Sequence, residues 1–151
     1  MNITIHACGI TIDNGQSTQR GACAVDLHYA DEYDRIATRT ISEFISDSTN
    51  PQCDLKAAMF GLMSINADLR NKPIELFVST YVAQLLERDN KIFKLIPKKN
   101  IELVRRLREK VDLFSDLTVK AGTKAQLQHV LNVAKITVET KVSEDTGTVV
   151  L

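Results

Sequence analysis

Apolar and polar residues alternate through most of the first third of the chain. Ile3, Ile5, Ala7 and Gly9 alternate with Thr4, His6 and Cys8, which predicts a strand over 2–11. Asp13-Asn14-Gly15 marks a turn. The run from Gly21 through Val25 to Tyr29 predicts a second strand over 21–29. Ile36, Thr38, Thr40 and Ile41 are β-branched and predict a third over 35–44. Three successive strands predict an antiparallel meander. The period then changes. Leu55, Met59 and Leu62 recur at helical spacing, which predicts a helix at about 52–69 that Asn71-Lys72-Pro73 ends. The acidic Asp54 falls in the first turn of that predicted helix, where a negative charge is favoured by the helix dipole alone.

The second half repeats the change of period. Residues 74–79 form a compact apolar strand. It follows a helix, so it should pair in parallel with a buried strand. A short helix over 80–88 and a basic, irregular stretch around Pro97 come next. Leu103, Val104, Leu107 and Val111 predict a helix over 101–111 whose Arg105, Arg106 and Arg108 point away from the apolar face. Residues 117–119 predict the last core strand. Thr123 followed three residues later by Gln126 is a capping box, and it opens a helix that buries Leu127, Val130, Leu131 and Ala134. From Ile136 the chain alternates again, with Asp145-Thr146-Gly147 as a turn, so 136–151 is expected to be an extension forming a hairpin or an edge strand. The remainder, 1–135, is expected to be one α/β domain: a five-stranded mixed sheet, meander plus two parallel strands, flanked by helices.

Composition narrows this picture in three ways. Cys8, Cys23 and Cys53 are an odd number without C-x-x-C spacing, which argues against a disulfide framework and against a zinc site. No apolar run approaches the roughly 18 residues of a membrane span, and no signal peptide is visible, so a cytoplasmic protein is expected. The formal net charge is zero but segregated: residues 88–110 carry 9 basic and 3 acidic side chains. A local positive field of that kind can hold phosphate even on a neutral molecule.

Four short runs then resemble the type 1 ribonuclease H family. Residues 49–58, Thr-Asn-Pro-Gln-Cys-Asp-Leu-Lys-Ala-Ala, are similar to the family's Thr-Asn-Asn-Arg-Met-Glu-Leu-Met-Ala-Ala. Val78-Ser79-Thr80-Tyr81-Val82 resembles its Asp-Ser-x-Tyr-Val. Asn100-Ile101-Glu102-Leu103-Val104 resembles its Asn-x-x-Leu-Trp, with Val104 in place of Trp. Val119-Lys120-Ala121-Gly122 resembles the Val-Lys-Gly-His after its last strand. The runs occur in family order over residues 2–135.

The resemblance implies cleavage of the RNA strand of an RNA–DNA hybrid by two divalent metals held by four carboxylates. Two hard cations roughly 4 Å apart repel and need several anionic oxygens. The resemblance places Cys8, Asp54 and Val78 at three of the acid positions, and 124–135, where the fourth should lie, contains no Asp or Glu. A thiol is a poor magnesium ligand. The expected outcome is a vestigial site with Asp54 as its one acid, no catalytic residues, no cofactor and at most a weak magnesium site at Asp54.

Binding can outlast catalysis. By the resemblance, Asn14, Thr49 and Asn50 sit where the family meets the nucleic-acid backbone, and amides and hydroxyls suit that role. The competing reading is a turn residue and a helix cap. Lys91, Lys94, Lys98, Lys99, Arg105, Arg106 and Arg108 resemble a basic protrusion that holds the hybrid, the competing reading being a solvated helix face. The sequence therefore points to an inactive ribonuclease H-like module binding RNA, hybrid or another nucleic acid. Two alternatives stand beside it: a protein-interaction or scaffold protein, or a homo-oligomer, using the fold and residues 136–151, and an active nuclease with ligands relocated to Asp13, Asp26 and Asp54. No membrane partner is expected.

Overall fold

The structure, a computed structural model, describes residues 2–12, 20–33 and 35–146, the side chains of 144–146 excepted. β1 (Asn2–Ile12), β2 (Arg20–Ala30) and β3 (Ile36–Ser46) form the meander, followed by α1 (Asn50–Met63) and β4 (Ile74–Val78). Then come α2 (Thr80–Leu85), a small ribbon of β5 (Arg88–Asp89) and β6 (Ile92–Phe93), α3 (Ile101–Val111), β7 (Leu117–Ala121) and α4 (Lys124–Thr146). The main sheet has five strands in the order β3-β2-β1-β4-β7. The meander is antiparallel, and β4 pairs in parallel with both β1 and β7. This is the mixed sheet expected from the sequence.

Strand alternation sorts the core into two layers. Ile3, Ile5, Ala7, Cys23, Val25 and Leu27 pack beneath α1 and α3. Cys8, Ala22 and Ala24 face the other way, against Leu127, Val130, Ala134 and Val138 of α4. The three cysteines are buried and free.

The structure corrects four expectations about the elements. Helix α1 starts at Asn50 rather than near residue 52, because Thr49 and Gln52 form a reciprocal capping box with Pro in the first turn. Asp54 therefore lies beyond the first turn. The helix ends at Met63, and a separate 3-10 turn, Ala67–Leu69, covers the rest of the expected span. The basic stretch is not wholly irregular: Asn90 and Lys91, both at positive φ, turn the β5–β6 ribbon. Residues 136–146 are neither hairpin nor edge strand but the continuation of α4. Ala134 and Val138 extend the stripe begun by Val130 at a spacing of four, and burying that stripe outweighs the short alternating pattern. Residues 147–151 and Asp13-Asn14 lie outside the described residues.

Candidate nucleic-acid interface and acid site

Pairing between β1 and β4 stops at His6↔Phe77, while β1 runs on to Ile12. Past that point the β1 amides facing β4 have no ladder partner, and buried amides need one. Side chains of α1 supply it. The Gly9 N–H donates to Asp54 Oδ1 at 2.7 Å, and the Thr11 N–H donates to Asn50 Oδ1 at 2.6 Å. The Thr11 hydroxyl adds a bond to the Ser48 carbonyl at 3.1 Å. Close approach makes this possible. A Cβ on Gly9 would lie 2.3 Å from the Cys53 carbonyl carbon, and one on Gly21 would lie 2.5 Å from Cys53 Sγ. The two glycines form the saddle on which α1 rests.

Asp54 is thus drawn into the fold. The Ser79 hydroxyl nearby favours its charged form, and Ser79 caps α2 by accepting from the Val82 N–H. Burial raises the Asp54 carboxyl above its ordinary range, against the stabilising pull of Gly9 and Ser79. Burial also pushes the Cys8 thiol up to about 12, with the neighbouring Asp54 charge adding to it, so the sulfur is held as a thiol. Val78 is fully buried in the α1-side core. A thiol, an isopropyl group and one tied carboxylate do not fit a pair of divalent cations. Among the described residues no three His, Cys, Asp or Glu side chains are placed to hold a metal. Asp26 does not join Asp54 either: it lies on the α4 face, accepting from the Thr40 hydroxyl at 2.6 Å and pairing with His129.

Beside this knot lies a polar crest. Thr49 and Gln52 exchange bonds at the start of α1. Gln52 Nε2 reaches Asn100 Oδ1 at 3.2 Å, and Asn100 Nδ2 reaches the Tyr81 hydroxyl at 3.4 Å. Asn100 precedes α3 at φ 55°. The chain of bonds holds the N-termini of α1 and α3 side by side, and both carry outward partial positive charge. Lys98 and Lys99 adjoin the crest across a cleft lined by Pro51, Tyr81 and Leu85. Gln52, Tyr81 and Asn100 lie within three of the family-like runs, but only the Thr-x-x-Gln spacing at 49–52 hints in the sequence at a bond that one of them makes.

The basic side chains divide by what they already hold. Arg108 donates to the Leu85 carbonyl at 2.8 and 3.0 Å and to the Leu95 carbonyl at 2.8 Å, and lies over the Phe93 ring. It is a strut of the fold. Arg105 pairs with Glu102 and Glu109, Arg106 with Glu102 at 3.2 Å, and Lys94 with Glu87 at 3.1 Å. Lys91, Lys98 and Lys99 enter no salt bridge with another described residue. Thr49 and Asn50 are engaged as cap and amide acceptor, leaving the Asn50 Nδ2 donor outside those bonds.

No protein-family model matches the sequence, and no curated protein matches it. Solved structures do. The chain superposes on ribonuclease H1 of the halophilic archaeon Halobacterium salinarum with a TM-score of 0.68 at 19% identity, covering 93% of this chain and 99% of that one. It superposes on LC11 ribonuclease H1, solved in complex with RNA/DNA hybrid, with a TM-score of 0.75 at 14% identity and the same coverage. A foamy viral protease-reverse transcriptase structure in complex with double-stranded DNA gives 0.67 at 15% identity, covering 91% of this chain and 94% of that one. The fold is ribonuclease H-like. Among the described residues no helix is long and apolar enough to cross a membrane.

Proposed function

We propose that this ribonuclease H-like domain is a non-catalytic nucleic-acid-binding module. It holds a sugar-phosphate backbone against the crest where α1 and α3 begin. The observation that carries this reading is the Thr49–Gln52–Asn100–Tyr81 chain of hydrogen bonds beside Lys98 and Lys99. Amide donors, two helix N-termini and ammonium groups that form no salt bridge with another described residue are the chemistry that binds phosphate oxygens and sugar hydroxyls without reading bases. Structures of the same fold bound to hybrid and to duplex DNA support the choice of partner. The donor set supports a loss of catalysis: Asp54 accepts from Gly9, and Cys8 and Val78 offer no hard anionic oxygen.

The test is equilibrium binding of labelled RNA–DNA hybrid, duplex RNA and duplex DNA across a salt series, with hydrolysis assayed in magnesium. Binding that weakens steeply with salt is expected, since neutralised phosphates release counterions. Replacing Lys98 and Lys99 together by Ala should weaken binding and lower the salt slope by about two. No binding at about 50 mM salt would overturn the reading. So would magnesium-dependent cleavage that disappears in Asp54→Asn.

A protein partner is the second reading, favoured by the exposed Leu95, Ile96 and Ile101 beside the same lysines. Ile96→Ser should leave nucleic-acid affinity unchanged under the first reading.

A further inference from the structure

β3 is an edge strand with little of the usual protection. Its 11 residues stay in unbroken register with β2 from Ile36↔Ala30 to Ser46↔Arg20. Among the described residues nothing pairs with its other side. Exposed edges are normally blunted by charged side chains, lysine above all, by proline, by a bulge or by short length. β3 has no proline, no lysine and no break in its pairing. Its two charged residues, Arg39 and Glu43, are exposed, and neither enters a salt bridge with another described residue. They stand symmetrically on either side of Ile41.

We propose that β3 pairs antiparallel with β3 of a second copy of this chain, about a twofold axis at Ile41, so that two sheets become one. That register uses the whole strand, with Ile36 facing Ser46 of the other copy. It sets each Arg39 opposite a Glu43, twice by symmetry, and Ile41 opposite Ile41. Directly opposed residues share a face, so these contacts form on the side where Ile41 and Ile45 lie. A slip of two residues sets Arg39 against Ile41 or Ile45 and loses the charge match. A slip of one turns every side chain to the wrong face. The α4 side offers a second contact. Phe44 lines a shallow depression with Ile136, Thr137 and Thr140, and Ile136 is 62% exposed. The twofold brings a second α4 to the same side of the seam, where it covers these groups. The assembly does not depend on the nucleic-acid reading.

Sedimentation equilibrium over a concentration series tests it. A monomer–dimer equilibrium is expected. Arg39→Glu and Glu43→Arg should each weaken dimerisation roughly tenfold by opposing like charges at both symmetric positions. The double reversal should restore it. An equimolar mixture of the two single variants should form a heterodimer tighter than either homodimer, because unlike charges then meet at every position. That last result requires both variants to be folded, so it separates register from misfolding. A chain that stays monomeric at every concentration overturns the proposal. A dimer indifferent to both reversals overturns it as well.

Discussion

The carboxylate of Asp54 accepts the Gly9 amide at 2.7 Å, so this acid serves the sheet where β1 and β4 part. Burial raises its carboxyl, so the folded protein takes up its proton before the unfolded chain does on acidification. The relative stability this gives is fully present below the unfolded carboxyl's range and is lost as pH rises through the raised folded value. Asp54→Asn keeps the acceptor and removes the buried charge. It should be at least as stable as the parent at neutral pH, and its advantage should shrink as pH falls through the carboxylate range. Asp54→Ala leaves the Gly9 N–H without a partner and should cost about 1–3 kcal/mol. Urea unfolding of the three proteins at neutral and acid pH checks both; an Asn variant as damaged as the Ala variant would refute the role.

The saddle beneath α1 predicts two different responses to one added methyl group. In Gly9→Ala the new Cβ meets backbone and Cβ atoms of Cys53 at 2.3 and 2.5 Å, so α1 must lift, at about 3 kcal/mol or more. In Gly21→Ala the nearest atom is the Cys53 sulfur at 2.5 Å, with the Ile10 carbonyl oxygen at 2.9 Å behind it. Removing that sulfur with Cys53→Ala should recover part of the Gly21→Ala loss and none of the Gly9→Ala loss. A double-mutant cycle by thermal or urea unfolding measures the coupling; equal rescue of both glycine variants would contradict this contact scheme.

What the sequence discloses follows the range of each interaction. Alternation in 2–11 and 21–29 and helical spacing in 101–111 located β1, β2 and α3, because burial imposes those periods directly. The continuation of α4 through Val138 escaped, because Thr137, Glu139 and Lys141 alternate with Val138 and Val142, and a stripe spaced by four shows only beside the sheet face that it covers. The β5–β6 ribbon escaped because its turn is Asn90-Lys91 rather than Asn-Gly. The resemblance drew attention to Asp54, Cys8 and Val78, but no local pattern says that Asp54 would bond Gly9, 45 residues away. For the same reason the sequence shows nine basic side chains in 88–110 without showing that Arg108 is consumed by two carbonyls.

That division of the basic residues makes its own prediction. Arg108→Ala frees the Leu85 and Leu95 carbonyls and uncovers Phe93, and should destabilise the chain by about 1–3 kcal/mol. Replacing Lys98 or Lys99 by Ala should leave the unfolding midpoint unchanged while weakening nucleic-acid binding. Urea unfolding and anisotropy titrations on the same samples separate the two classes. A Lys98→Ala chain that loses stability as Arg108→Ala does would erase the distinction.

On the α4 face of the sheet, His6 stacks on Phe77 with ring centroids 5.0 Å apart and meets His28 edge-on at 5.5 Å. Burial lowers the His6 pKa, His28 lowers it further, and Asp26 opposes both. A depressed folded-state value means that the unfolded chain binds the proton first. Stability from this group is therefore fully present above the ordinary histidine value of 6.5 and is lost as pH falls through the lower folded value. The direction is opposite to that of Asp54, and the window lies at higher pH, so the two can be read apart in one titration. His6→Phe keeps a ring on Phe77 and removes the ionisable group. The parent should lose stability between neutral and mildly acid pH, and His6→Phe should lose less over the same interval. Urea midpoints at closely spaced pH values give the comparison. If both proteins fall equally, the acid sensitivity belongs to other groups.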